Sequence, residues 1–195
     1  MIIAVDIDDT LTTVNRAKYA GEYIAKKGLP FRIKNPNGNK LVSVVDWTEE
    51  DAKAFVLDGG YKTFTEAPVR EGARETLALW RKKGHKVVVL TARQRDWFIE
   101  PEKLSRDFLD KNGLEYDELV TDCADKGDYC EKHGIDVLVD DNLDNCAGAE
   151  RHGVIAILAA GRHCEERVNE FTYYAYDWAE IARCVEEIEK HRKSK

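Results

Sequence analysis

Four times after residue 72 the chain repeats one short pattern, in which a polar stretch ends in a base, one further residue and a glycine, and an apolar run follows. The instances are Lys82-Lys-Gly84 before Lys86–Leu90, Lys111-Asn-Gly113 before 119–120, Lys132-His-Gly134 before 137–139, and Arg151-His-Gly153 before 154–158. A glycine just past a helix takes the left-handed cap, and a base in the last turn complements the carbonyl end of the dipole. Helix and strand therefore alternate, which implies right-handed crossovers and a parallel sheet covered on both faces. Ile2 to Val5 is a fifth apolar run, reading as a strand buried on both sides. The expectation is an α/β fold with a five-stranded parallel sheet.

Residues 13–68 break that rhythm. A helix is expected from Asn15 to Lys27, then turns at Gly28-Leu-Pro30 and Asn35-Pro-Asn-Gly38, then a second helix whose Thr48-Glu-Glu-Asp51 start carries a cap and acids in its first turn. This reads as a small, mainly helical cap inserted after the first strand, with residues 1–12 and 69–195 forming the core. After Gly161 the tail reads as loop until Asp177-Trp-Ala-Glu180 opens a last helix with apolar positions Trp178, Ile181, Val185 and Ile188 on one face.

The 195 residues are 43% hydrophobic, enough for an ordinary core, and the net charge of -7 argues against a general nucleic-acid binder. A small anionic substrate remains compatible with that charge, because a bound cation and a few local bases override the global sign. The apolar start runs straight into charged residues without a basic leader, and no stretch reaches membrane-spanning length, so no membrane partner is expected. Five cysteines, odd in number and scattered, argue against a disulfide framework and for a cytoplasmic location. Cys123, Cys130 and His133 could be read as part of a zinc site, but no paired CxxC or HxxxH accompanies them. Free thiols are the preferred reading.

Chemistry concentrates at the strand ends, where open α/β sheets place it. The first strand stops at Asp6 and Asp8, which share a face only while the chain stays extended. The run at 87–90 ends in Thr91-Ala92-Arg93, and that at 137–139 ends in Asp140-Asp141-Asn142. Lys126 stands at the expected start of a helix; Lys132 competes for its role but lies beside a glycine cap. Parallel strands bring all four to one rim. Acids, a hydroxyl and an ammonium round one crevice suit transfer of a phosphoryl group to a carboxylate.

With Asp6-Ile-Asp8-Asp-Thr10, Thr91, Lys126 and Asp140-Asp141 in this order, residues 1 to about 145 resemble the haloacid dehalogenase (HAD) superfamily. The resemblance implies a HAD-like Rossmannoid three-layer fold and a magnesium-dependent phosphomonoesterase. It makes Asp6 the nucleophile that forms an aspartyl-phosphate, and Asp8 the group that protonates the leaving oxygen and then activates water. It assigns magnesium to Asp6, the backbone carbonyl of Asp8 and Asp141, with Asp140 acting through water or Lys126. Thr91, Ala92, Arg93 and Lys126 would surround the phosphoryl oxygens. An acid at position 8 favours ester hydrolysis over dehalogenation, because an alkoxide leaving group needs a proton. Asp9 stands where many relatives have glycine; it adds charge near the metal or simply caps a turn.

A narrower resemblance is to bacterial nucleotidase-like proteins related to the cytosolic 5'(3')-deoxyribonucleotidases, through Pro68-Val-Arg-Glu-Gly-Ala73, Leu90-Thr-Ala-Arg93, Lys126-Gly-Asp-Tyr-Cys130, Val139-Asp-Asp-Asn142 and Tyr176-Asp-Trp178. It implies a nucleoside monophosphate as substrate. The alternatives are a sugar phosphate or another small metabolite, and, from another class, a non-catalytic phosphate-binding regulatory module. Arg93 could grip the substrate phosphate or pair with a nearby acid. Phe31, Trp47, Phe55, Tyr61 and Phe64 could stack on a nucleobase or form the cap's own small core. Self-association as a homodimer is left open.

Overall fold

The computed structural model describes all residues except 29–31, 37, 39, 162, 163 and 195, and leaves aside the side chains of 165 and 166. Six parallel strands form one sheet in the order β3-β2-β1-β4-β5-β6, with β1 Ile2–Val5, β2 Lys86–Leu90, β3 Glu118–Val120, β4 Val137–Asp140, β5 Ile155–Ala159 and β6 Tyr173–Ala175. The expected five become six because the tail is not loop throughout: β6 extends the sheet by pairing Ile157 with Tyr173 and Ala159 with Ala175. Three residues at a sheet edge are too few to stand out as a run, and their strand is completed by pairing with β5.

Alternate residues of each strand feed opposite layers. Ile3, Val5, Val87, Val89, Val137 and Val139 join residues of α5 Ala73–Lys82, α6 Pro101–Lys111 and α9 Trp178–Lys193, with Trp80 and Trp178 5.8 Å apart. Ala4, Val88, Leu90 and Leu138 join Cys130 of α7 Lys126–Lys132 and Cys146 and Ala149 of α8 Leu143–Arg151. Gly84, Gly113, Gly134 and Gly153 all have positive φ, as the recurring helix ends demand. Asp177 caps α9 by accepting from Glu180 N at 2.8 Å, and the four expected apolar positions of that helix are buried.

Between β1 and α5 the chain forms α1 Arg16–Lys27, α2 Leu41–Val44, α3 Glu49–Phe55 and α4 Lys62–Thr65. Thr48 caps α3 as expected and Asn15, expected as the first residue of α1, stands just before it as its cap, while the single turns α2 and α4 carry too few residues for a periodic signal. Two apolar clusters bind these helices together, around Phe55 and Leu41 and around Val44 and Ile24. The segment leaves and rejoins the core at one place: Thr12 bridges Val69, Thr13 N donates to Pro68 O at 3.0 Å and Arg70 N to Leu11 O at 2.9 Å. No helix among the described residues is long and apolar enough to cross a membrane.

Candidate active site

β1 lies between β2 and β4, so the order reverses there and the carboxyl ends of these three strands open onto one crevice. Val5 is level with Val89 and Val139, which sets Asp6 beside the residues that follow β2 and end β4. Asp6 N donates to Val139 O at 3.0 Å, continuing the ladder one residue past the strand. The chain then turns through Ile7–Leu11, with Asp9 at φ 64°, closed by Thr12 N on Ile7 O at 3.1 Å. This turn swings Asp8 out of the strand. The Asp9 carboxylate faces the other way, accepting from Val14 N at 2.9 Å and pairing with Arg16, which is the capping role.

All eight expected site residues, Asp6, Asp8, Thr91, Ala92, Arg93, Lys126, Asp140 and Asp141, line this crevice of about 190 Å³. Lys126, 2% exposed, donates to Asp6 Oδ1 and to Asp140 Oδ2, both at 2.6 Å. Asp140 also accepts from Asn142 N at 2.8 Å and from Asn145 Nδ2 at 3.1 Å, so its lone pairs are committed to orienting Lys126 and the start of α8. Burial works against the Lys126 charge, yet Asp140 and then Asp6 overcome it and hold its pKa up. Burial also pushes the Asp6 carboxyl well up, Lys126 opposes this, and Asp140, Asp141 and Asp8 push it further. Thr91 is buried, its backbone N–H bound to Val120 O at 2.9 Å and its Oγ1 accepting from Arg93 N at 3.4 Å.

Arg93 pairs with an acid, one of the two readings open to it. Its Nε meets Asp8 Oδ2 at 2.9 Å and its Nη2 meets Asp8 Oδ1 at 2.7 Å. Sequence reasoning assigned no role to Asn142 and did not single out Asn145, Arg16 or Phe98, which also line the crevice. Asn142 carried a usable signal, an Asn at a helix start just past an acidic pair; it accepts from Asp144 N at 2.8 Å.

Of the aromatics considered for a nucleobase, Phe64 reaches the crevice, where it meets Phe98 edge to face at 5.3 Å. Trp47 and Phe55 lie 5.4 Å apart in the apolar cluster that joins their segment to Phe98. Tyr61 lines a separate hollow with Val56, Leu57 and Ile99, and Phe31 falls outside the described residues. The zinc reading of Cys123, Cys130 and His133 finds no support: burial pushes the thiols up to about 11 and about 12, and His133 stacks on Tyr129 at 3.8 Å.

Among the described residues no three His, Cys, Asp or Glu side chains converge as a ready-made metal cage. The arrangement implied by the motifs needs only two carboxylates, Asp6 and Asp141, with the backbone carbonyl of Asp8. A cation fits the charge balance: Asp6, Asp8, Asp140 and Asp141 face Lys126, Arg93 and Arg16, and Arg16 is taken by Asp9. The raised Asp6 carboxyl expresses the same surplus of negative charge.

No family model matches the chain, and no curated protein does. Solved structures do. A predicted phosphoglycolate phosphatase from Haemophilus somnus superposes with a TM-score of 0.66 at 17% identity, over 94% of this chain and 97% of that one. A haloacid dehalogenase-like family hydrolase from Streptococcus pneumoniae has a TM-score of 0.66 at 12% identity, over 94% and 97%. A HAD-superfamily hydrolase, subfamily IA, variant 1, from Geobacter sulfurreducens has a TM-score of 0.59 at 16% identity, over 94% and 98%. At such identities the likeness speaks for architecture, and with the six-stranded sheet and its order it shows that the chain has the HAD-like fold.

Proposed function

We propose that this chain is a magnesium-dependent phosphomonoester hydrolase of the 5'-nucleotidase kind, working through an aspartyl-phosphate on Asp6. The observation that carries the reading is the meeting of Asp6, Asp8, Thr91 and Lys126 round one crevice, with Lys126 bridging Asp6 and Asp140. An Asp6 oxygen attacks phosphorus as the ester P–O bond breaks, and the leaving oxygen takes its proton from Asp8. Asp8 then removes a proton from water, which attacks the phosphorus of the aspartyl-phosphate, releasing inorganic phosphate and restoring Asp6. Lys126 and the Thr91 hydroxyl serve as donors to the phosphoryl oxygens. A divalent cation on Asp6, Asp141 and the Asp8 carbonyl would supply positive charge against those oxygens.

Phe64 and Phe98 give the mouth an apolar wall on which a nucleobase can pack, which supports a nucleoside monophosphate. A second reading, a smaller phosphorylated metabolite, is favoured by the crevice volume of about 190 Å³ and by the name of the Haemophilus somnus neighbour. A panel of nucleoside monophosphates, sugar phosphates and phosphoglycolate, assayed with magnesium, tests both. Preference for nucleoside monophosphates is expected, with turnover abolished in Asp6→Asn; preference for phosphoglycolate or a sugar phosphate installs the second reading. Magnesium-dependent turnover retained by Asp6→Asn removes the nucleophile assignment.

A further inference from the structure

Arg93 carries a guanidinium that the chemistry above does not use, and nearly all its hydrogen-bonding capacity is already engaged. It is 3% exposed. Besides the two bonds to Asp8, Nη1 donates to Ser105 Oγ of α6 at 3.3 Å and Nη2 to the carbonyl of Phe64 at 3.4 Å. Four of the five N–H groups of a guanidinium are thus spent within the protein. Phe108 lies against the group, its ring centroid 5.8 Å from Cζ. A residue built to grip a phosphate would instead keep its fork free for the crevice.

We propose that Arg93 is a positioning residue: it holds the Asp8 carboxylate in one plane, and it ties that carboxylate to the inserted segment through the Phe64 carbonyl. The inference rests on the phosphatase reading. A bidentate fork fixes both carboxylate oxygens at once, which a single hydrogen bond or a lysine cannot do. Each Asp8 oxygen keeps a further lone pair for the proton it must carry. Because Phe64 follows Thr63 in α4 and also lines the crevice, the same guanidinium senses whether the segment is seated over the strand ends. Proton transfer is thereby linked to the presence of the wall that meets the leaving group.

The test is a double-mutant cycle of Arg93→Gln and Asp8→Asn, read with 4-nitrophenyl phosphate and an alkyl phosphate under saturating magnesium. Arg93→Gln is expected to lower kcat on the alkyl ester by about 10²-fold, the scale of general acid–base assistance, and less on the aryl ester, whose leaving group needs little protonation. KM and inhibition by inorganic phosphate should move by less than about threefold, since ground-state binding is untouched. In the Asp8→Asn background the same substitution should add no further loss. Ser105→Ala removes one brace without touching Asp8 and should give a weaker loss of the same pattern, which keeps the test decisive if Arg93→Gln fails to fold. Raised KM and weakened phosphate inhibition at preserved kcat, additive losses in the cycle, or full rescue by Arg93→Lys would overturn the inference. Failure of the phosphatase reading has another signature: the wild-type protein then turns over neither ester, and the inference falls with it.

Discussion

At Asp6 function and stability pull in opposite directions. Its carboxyl is buried among Asp140, Asp141 and Asp8 with one ammonium to share, and its pKa is raised. An acid whose folded pKa lies above its ordinary 3.8 favours the folded state while protonated, and that contribution is lost as pH rises through the folded value. At neutral pH and without a divalent cation, Asp6→Asn should therefore stabilise the protein by on the order of 1 kcal/mol while removing turnover, a trade-off expected where a site stores electrostatic strain. Denaturant unfolding in a chelating buffer measures it, and a less stable Asp6→Asn would show that the Lys126 bond outweighs the repulsion. Asp140 is the quieter partner. Held by Asn142, Asn145 and Lys126, it keeps the ammonium aimed at Asp6 and so acts on that carboxylate through Lys126.

Among the elements, α7 is placed by an absence of side chain. Gly127 packs so tightly on α8 that a Cβ there would lie 2.8 Å from the backbone carbon of Gly148 and 3.0 Å from the His152 ring. Gly127→Ala must push α7 off α8 and carry Lys126 with it, so it should cost about 1–3 kcal/mol by overpacking and lower turnover together. A thermal melt and an assay on one preparation check this; wild-type activity in a destabilised variant would separate the two effects. The helix ends, the first five strands and the motif residues were legible because each rests on local chemistry: a glycine at positive φ, a cap, an apolar run that stops at a carboxylate. β6 was not, since Tyr173–Ala175 becomes a strand by lying against β5. The partner of Arg93 was not either. Asp8 stands 85 positions away, and which of two roles the guanidinium takes is decided by how the turn after β1 aims a side chain, which no spacing encodes.

On the scale of the whole molecule, His85 joins distant parts of the chain, facing the amino group of Met1 at 3.2 Å and Glu189 of α9 at 3.7 Å. Burial, with the Met1 amine behind it, lowers its pKa from the ordinary 6.5, against the pull of Glu189. A depressed histidine contributes stability that is complete above 6.5 and is lost as pH falls through the folded value. The melting temperature should thus drop more steeply below pH 6.5 in the wild type than in His85→Gln; equal slopes would assign the acid loss to the carboxylates alone. The bridge between Thr12 and Val69 reaches further. Among the described residues of 13–68 none joins either large core cluster, and the two ends of that segment sit within hydrogen-bonding distance of each other. A short turn from Leu11 to Arg70 would close the chain with the sheet's interior intact. The segment therefore hangs on the core by one seam and by the side chains of Phe98 and Leu104, so its residues can change without entering the interior of the sheet.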